Sequence, residues 1–298
     1  MRVLVTGGGG FIGSHLVRKL LGDPAVAVRI LDNLRRGRNT FAGVPRVEFL
    51  QGDIRDRQAV HAATDGMDVV YHLAAQSSVL GAVQDIDYSF TTNVAGTMEV
   101  LYAARDCGVR TVIFTSSREV YGQAPCLPVP ETARLSPKNA YGASKAAGEI
   151  YCRLFAELGL DVVVLRLANV YGPGDSERVI PLFLANALRG LPLVIFGENK
   201  ILDFVWIGDV VDALVGVLSA PLGGQTINIG SGAGATLPDL AQQILRLTQS
   251  SSAIAPAGAR NAEVDRFVAD IRLAESLLNY RPAAPLAHLS EVAASLRP

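Results

Sequence analysis

The sequence predicts an α/β protein: a doubly wound parallel sheet covered by helices on both faces, followed by a smaller C-terminal α/β lobe. Three observations carry this. Short β-branched runs alternate with amphipathic stretches through the first 170 or so residues. The runs are continuously apolar, as in strands buried on both faces. After "NVYGPG" (169–174) the elements shorten and turn signals crowd together.

In chain order, "RVLVT" (2–6) reads as a strand and "FIGSHLVRKLL" (11–21) as a helix with one apolar stripe. "VRIL" (28–31), "VEFLQ" (47–51), "VVYHLA" (69–74) and "TVIFTS" (111–116) are further strands, with helical stretches over roughly 90–107 and 139–158. "VVVLRLA" (162–168) is another buried strand. We divide the chain into a first domain, 1–170, and a lobe, 171–298, with a segment of about 203–230 expected to return to the first domain. Turns are expected at 190–192, 196–200 and 230–236, and the Ser/Ala/Gly/Pro-rich stretch 249–262 reads as a surface loop. There is no internal repeat.

A chain of 298 residues that is 49% hydrophobic and 18% charged can bury a large core, which excludes a disordered protein. Its net charge of −1 offers no basic footprint for nucleic acid and no polybasic patch for a membrane. The start, "MRVLVTGGGG", is too glycine-rich for a signal peptide or a membrane span. Cys107, Cys126 and Cys152 lack metal-ligand spacing and read as reduced thiols, so a cytoplasmic location and no metal are expected.

"VTGGGGFIG" sets Gly7, Gly10 and Gly13 between a strand and a helix. Glycines there let backbone approach a pyrophosphate, and the helix N-terminus supplies amide donors and a favourable dipole. Asp32, in "RILDN", ends the next strand, where a carboxylate accepts from an adenosine ribose and repels a 2′-phosphate. The reading is a Rossmann-type site for NAD rather than NADP, although Arg35 and Arg36 close behind weaken that preference. Phe11, Ile12 and Asn33 flank these residues, and Asp53 and Ile54 follow the third strand. Asp53 suits an adenine amino group or, alternatively, a helix N-cap for which Asp56 competes.

"NAYGASKAAGEI" sets Tyr141 and Lys145 on one helical face. An ammonium near a phenol lowers its pKa, making a base for a hydroxyl that loses hydride to a nicotinamide. The serines of "TSSREVYG" (115–122) would reach the same oxygen from a strand end.

Together "TGGGGFIG", "HLAA", "TSSREVYG", the Tyr141/Lys145 pair and "LRLANVYGPG" resemble the extended short-chain dehydrogenase/reductase family, nearly end to end. Within it the chain is similar to the NAD-dependent nucleotide-sugar epimerases and dehydratases, of which UDP-glucose 4-epimerase is an example. The resemblance implies a catalytic Ser117, Tyr141 and Lys145, with Leu73, Ala74, Ala75 and Asn93 around the nicotinamide ribose and phosphates. It implies substrate contacts at Asn169, Phe196 (nucleotide base) and Arg260 (diphosphate), a nucleotide-sugar substrate linked to UDP, and a homodimer through helices 90–107 and 139–158. The shared chemistry takes the C4 proton and hydride to give a 4-keto sugar.

The family branches from that ketone. A 4-epimerase, the leading expectation, returns hydride to the other face. A 4,6-dehydratase needs a further acid–base set, and a uronate decarboxylase also carries a glutamate at the position of Glu119. Arg118 stands where an acid or hydroxyl is usual, and could pair with a uronate carboxylate. Alternatively, Arg118 and Glu119 point to opposite sides of a turn, each with its own protein partner, as neighbours in an extended segment face opposite ways. A catalytically silent dinucleotide-binding protein is a further class, raised by Leu202, which replaces the family's diphosphate arginine before "DF", and a plain NAD(P)-dependent sugar reductase is the last. Either Lys200 or Arg178 compensates for Leu202, or the preferred substrate differs. "ARNAEV" (259–264) lacks the Pro-Gly that usually follows the arginine, and Trp206 reads as core or cleft wall.

Overall fold

A computed structural model describes residues 1–197 and 199–296; Glu198, in the expected 196–200 turn, and the last two residues of the expected lobe lie outside it. Thirteen strands are present among the described residues: β1 Arg2–Thr6, β2 Ala27–Asp32, β3 Val47–Gln51, β4 Val69–His72, β5 Thr111–Ser117, β6 Asp161–Leu167, β7 Asn169–Tyr171, β8 Leu193–Phe196, β9 Ile201–Trp206, β10 Thr226–Ile229, β11 Gly234–Thr236, β12 Ile254–Ala257 and β13 Arg266–Phe267. Seven of them form one sheet in the order β10-β6-β5-β4-β1-β2-β3. Every pairing in it is parallel.

The sequence explains the layering. β1, β4 and β5 are buried along almost their whole length, because helices cover both faces. One face packs through Val3, Val5, Ile113 and Leu165, the other through Leu4, Val70, Val112 and Val164. These residues alternate along their strands, as the two-residue period of a strand requires.

β10 adds to the main sheet beside β6, and Val210, Val211 and Leu214 of the helix Ile207–Gly216 join the core that contains Leu16 and Val17. The lobe has its own core, in which Phe183, Leu184, Leu240, Ile244 and Val292 meet Leu202 and Phe204 of β9. β9 is the lobe's central strand, pairing with β7 and β13 in parallel and β11 antiparallel.

The stretch 249–262 is not wholly a loop, because β12 pairs in parallel with β8. Its Pro256 is tolerated because β12 is an edge strand of a two-stranded sheet, where one missing amide is no loss to a ladder. The expected helix 90–107 begins earlier, at Ile86, and contains a π-helical turn over Thr91–Ala95. No helix among the described residues is long and apolar enough to cross a membrane.

Candidate active site

A cleft of about 590 Å³ opens at the carboxyl ends of the parallel strands, between the sheet and the lobe. Its floor begins at the glycine turn. A Cβ on Gly13 would come 2.2 Å from the Gly7 carbonyl oxygen, and one on Gly7 (φ +73°) 2.8 Å from the Ala74 nitrogen. Only glycine allows the helix Phe11–Leu20 to start this close to β1 and to the segment Leu73–Ala75.

Asp32 accepts from Gly9 N (2.9 Å) and Leu34 N (2.8 Å), which fixes its carboxylate at the turn. Arg36 is engaged with Glu177, and Arg35 lies 4.1 Å over the Tyr88 ring. Phe11, Ile12, Asn33, Ile54, Leu73, Ala74 and Ala75 all line the cleft. Asp53 and Asn93 lie behind that lining. Asp53 accepts from the Arg55 guanidinium (2.8 Å) and Asn33 Nδ2 (3.0 Å), and the Arg55 bonds hold its carboxyl well below the usual carboxylate range. Asp56, not Asp53, caps the following helix. Asn93, carried inward by the π-helical turn, accepts from Gln76 N (2.7 Å) and donates to Gln76 O (3.0 Å) and Ser144 Oγ (2.9 Å). It ties the loop after β4 to the helix Ala140–Glu157.

Ser117, Tyr141 and Lys145 meet in the middle of the same cleft. Asn139 caps the helix through Gly142 N (2.8 Å), so the helix starts one residue before Tyr141. Lys145 Nζ donates to the Thr115 carbonyl (2.8 Å), and Thr115 Oγ1 donates to the His72 carbonyl (3.1 Å). Burial pushes Lys145 down to about 8. Burial pushes the Tyr141 phenol up, against the pull of Ser117, Arg178 and Arg118, while Glu119 adds to the rise. Burial is thus the first influence on the phenol, and the Lys145 ammonium, expected to lower it, gives one of its bonds to the Thr115 carbonyl. His72 bonds Thr6 Oγ1 (2.8 Å) and Thr97 Oγ1 (3.0 Å), and burial with Lys145 nearby pushes it down to about 3.

β5 ends at Ser117, and Arg118–Val120 form a single 3₁₀ turn capped by the Ser117 hydroxyl. That turn overturns the reading in which Arg118 and Glu119 diverge. Arg118 Nη2 pairs with Glu119 Oε1 at 2.8 Å, and Asn139 Nδ2 donates to Glu119 Oε2 at 2.7 Å. The sequence reading missed Asn139, although an asparagine just before the helix marked it as a cap.

On the lobe side, Asn169, Arg178, Phe196 and Arg260 line the cleft with Lys200 and Leu202. Arg260 lies 3.7 Å over the Phe196 ring, and Glu263 holds both Arg260 (3.2 Å) and Lys200. Asn169 Nδ2 donates to the Asp203 carbonyl (3.0 Å), and Arg178 pairs with Asp175 (3.3 Å). Trp206 is half-buried and packs against the core, stacked on His288 with ring centroids 4.4 Å apart and edge-on to Tyr171.

A buried network also escaped the sequence reading. Arg166 of β6 bonds Glu149 (2.6 and 3.0 Å), the Tyr121 hydroxyl (2.8 Å) and the Glu131 carbonyl (2.9 Å), and Ser116 donates to Glu149. The only visible signal was an arginine inside an otherwise apolar strand.

The model of the NAD-dependent epimerase/dehydratase family matches residues 3–230. The chain belongs to that family. A UDP-glucose 4-epimerase of Mycolicibacterium smegmatis is 39% identical over 244 residues, 78% of either chain. The structure of a Thermotoga maritima UDP-glucose 4-epimerase with UDP-glucose superposes with a TM-score of 0.94 at 32% identity, covering 100% of this chain and 99% of that one. A dTDP-glucose 4,6-dehydratase of Streptomyces venezuelae with NAD bound gives 0.93 at 35% identity, covering 99% and 96%. Epimerases and dehydratases of the family are thus about equally similar to this chain.

NAD is the cofactor of this epimerase/dehydratase family member. The glycine cradle, which any Cβ would fill, the amide end of the helix Phe11–Leu20 and the fixed Asp32 carboxylate suit a dinucleotide. Bound NAD supplies a hydride acceptor and a positively charged ring. Ser117, Tyr141 and Lys145 line the same cleft with a hydroxyl, a phenol and an ammonium, groups of the kind that can orient a hydroxyl and take its proton.

Proposed function

We propose that the protein is a nucleotide-sugar 4-epimerase acting on a UDP-linked six-carbon sugar through a 4-keto intermediate. The observation that supports it is the state of Glu119. Both its oxygens are occupied, one by Arg118 Nη2 and one by Asn139 Nδ2, and it is 4% exposed. Each oxygen already accepts a bond from a protein donor, so Glu119 would have to give up or share a partner to take a proton from the sugar. With no free second acid–base pair beside Ser117 and Tyr141 among the described residues, the chemistry stops at the ketone and hydride returns to it. Ser117 and Tyr141 hold the C4 oxygen, and Asn169, Arg178, Phe196 and Arg260 receive the nucleotide diphosphate. The intact Ser117, Tyr141 and Lys145 speak against a silent binding protein.

Proton NMR in D₂O with UDP-glucose and UDP-glucuronate tests the reading. A C4 epimer without solvent deuterium is expected, with Glu119→Gln keeping kcat within about tenfold of wild type, since Glu119 has no proton-transfer role here. A keto or C6-truncated product carrying deuterium, lost in Glu119→Gln, would favour dehydration or decarboxylation instead.

We also infer a homodimer. Ile86 and Phe90 are 60% and 57% exposed, and Ile150 and Leu154 on the helix Ala140–Glu157 are 60% and 45% exposed. Large apolar side chains this exposed on neighbouring helices mark an interface. The patch uses the start of the Ile86–Asp106 run rather than its end. Light scattering is expected to give twice the chain mass, and Ile150→Lys with Leu154→Lys to give the monomer; a monomeric wild type would overturn the inference.

A further inference from the structure

Asn139 does more than a helix cap requires. Its Oδ1 accepts from Gly142 N (2.8 Å), a bond that serine, threonine or aspartate would serve as well. None of those three offers two donors beside the acceptor, and Asn139 uses both of its own. Its Nδ2 donates to Glu119 Oε2 (2.7 Å) in the turn after β5 and to the Ala262 carbonyl (2.9 Å) in the lobe. The residue is 8% exposed, so water is a poor substitute for these partners. One amide thus joins the strand end that carries Ser117, the helix that carries Tyr141 and Lys145, and a lobe segment 123 residues further on.

That lobe segment also forms cleft wall. Arg260 and Glu263 line the cleft from it, and Glu263 holds both Arg260 (3.2 Å) and the Lys200 ammonium. Three side chains of the first domain bond to residues 262–265. Besides Asn139, Lys138 Nζ donates to the Glu263 carbonyl (3.0 Å), and Gln123 Oε1 accepts from Asp265 N (3.1 Å). The Lys138 and Gln123 bonds are exposed, where solvent competes for them, whereas the Asn139 bond is half-buried. Asn139 is therefore the firmest of the three ties.

We infer that Asn139 is a positioning residue for catalysis. Its amide fixes the Arg260 segment against the helix that presents Tyr141, so that a grip on the nucleotide at one end of the cleft places the sugar hydroxyl at the other. This rests on the reading in which Arg260 receives the diphosphate and Tyr141 takes the proton. Binding energy from the remote nucleotide is then spent on orientation at the reacting carbon.

Asn139→Ser keeps the cap and removes both donors. On the NAD-loaded protein, calorimetry is expected to show UDP bound about three- to tenfold more weakly, the scale of one lost hydrogen bond. With UDP-glucose, kcat should fall by about tenfold or more, as reacting groups shift. A double-mutant cycle with Arg260→Ala decides the route. Asn139 and Arg260 share no hydrogen-bond partner among the described residues, so independent effects on UDP affinity would add. Acting through the Arg260 segment, Asn139→Ser should instead weaken UDP by less than about twofold once Arg260 is gone. Additive losses, or a kcat unchanged in Asn139→Ser, would overturn the inference. Lys138→Met alters an exposed side chain that reaches the same segment, and the cycle can be run on it if Asn139→Ser folds poorly. The same non-additivity is expected there, and additivity would again overturn the coupling. The absence of a C4 epimer with any sugar sinks the epimerase reading separately, because the UDP cycle needs no turnover.

Discussion

Tyr141→Phe is expected to lower kcat by about a thousandfold or more, within the range general-base catalysis supplies, while the purified protein still carries NAD. The substitution deletes one oxygen and keeps the ring, so the packing of the Ala140–Glu157 helix is preserved. The cofactor cradle is built elsewhere, from the glycine turn, Asp32 and the Leu73–Ala75 segment. Loss of turnover with cofactor retained therefore isolates the proton step. The electrostatics add a pH signature. Burial holds the phenol above its ordinary value, with Ser117, Arg178 and Arg118 opposing that rise. The reacting form is the phenolate, so the wild-type rate should increase with pH on the acid side of the profile, and the residual rate of Tyr141→Phe should lack that slope. Product assayed by NMR and NAD assayed after acid release give the two readouts. Retention of more than a few per cent of wild-type activity would remove Tyr141 as the base.

The main sheet was legible because its strands advertise themselves. "RVLVT", "VEFLQ" and "TVIFTS" are short, apolar and bounded by turn residues, and each lies within the strand found there. β12 was not legible, because Ile254–Ala257 contains a proline and carries no period of its own. It is a strand only because β8 offers an edge in the right register. The same division holds in the site. The four-residue spacing of Tyr141 and Lys145 puts both in the cleft, but nothing in that spacing says that Lys145 Nζ goes to the Thr115 carbonyl. That bond joins residues 30 apart and needs the sheet to exist first. The pairing of Arg118 with Glu119 was left open for a local reason: neighbours in extended backbone face opposite ways, whereas the 3₁₀ turn after Ser117 brings these two side chains together.

Arg166→Leu is expected to lower the melting temperature by roughly 10 °C, because it leaves Glu149 as an uncompensated buried charge, an error worth about 3–5 kcal/mol in a chain of this size. Both residues are nearly inaccessible, 4% and 3% exposed, and the side chain that would be lost makes bonds to three partners. Ser116 also donates to Glu149, so the pair anchors the strand end that carries Ser117 to the helix that carries Tyr141 and Lys145. Removing the arginine should therefore reduce kcat as well, by about tenfold or more, as small misplacements of reacting groups do. The double replacement Glu149→Leu with Arg166→Leu separates charge from architecture. It leaves no buried charge, so it should recover at least half of the lost melting temperature, since matched apolar groups replace buried pairs at little cost. It should not recover activity, because Ser116 still lacks its partner and Tyr121 keeps only Asn228 of its two. Differential scanning calorimetry of the two variants, alongside their turnover, tests both halves. A single-variant shift below about 2 °C would mean that water reaches Glu149 once the arginine is gone, and that the network orients the catalytic strand without holding the fold.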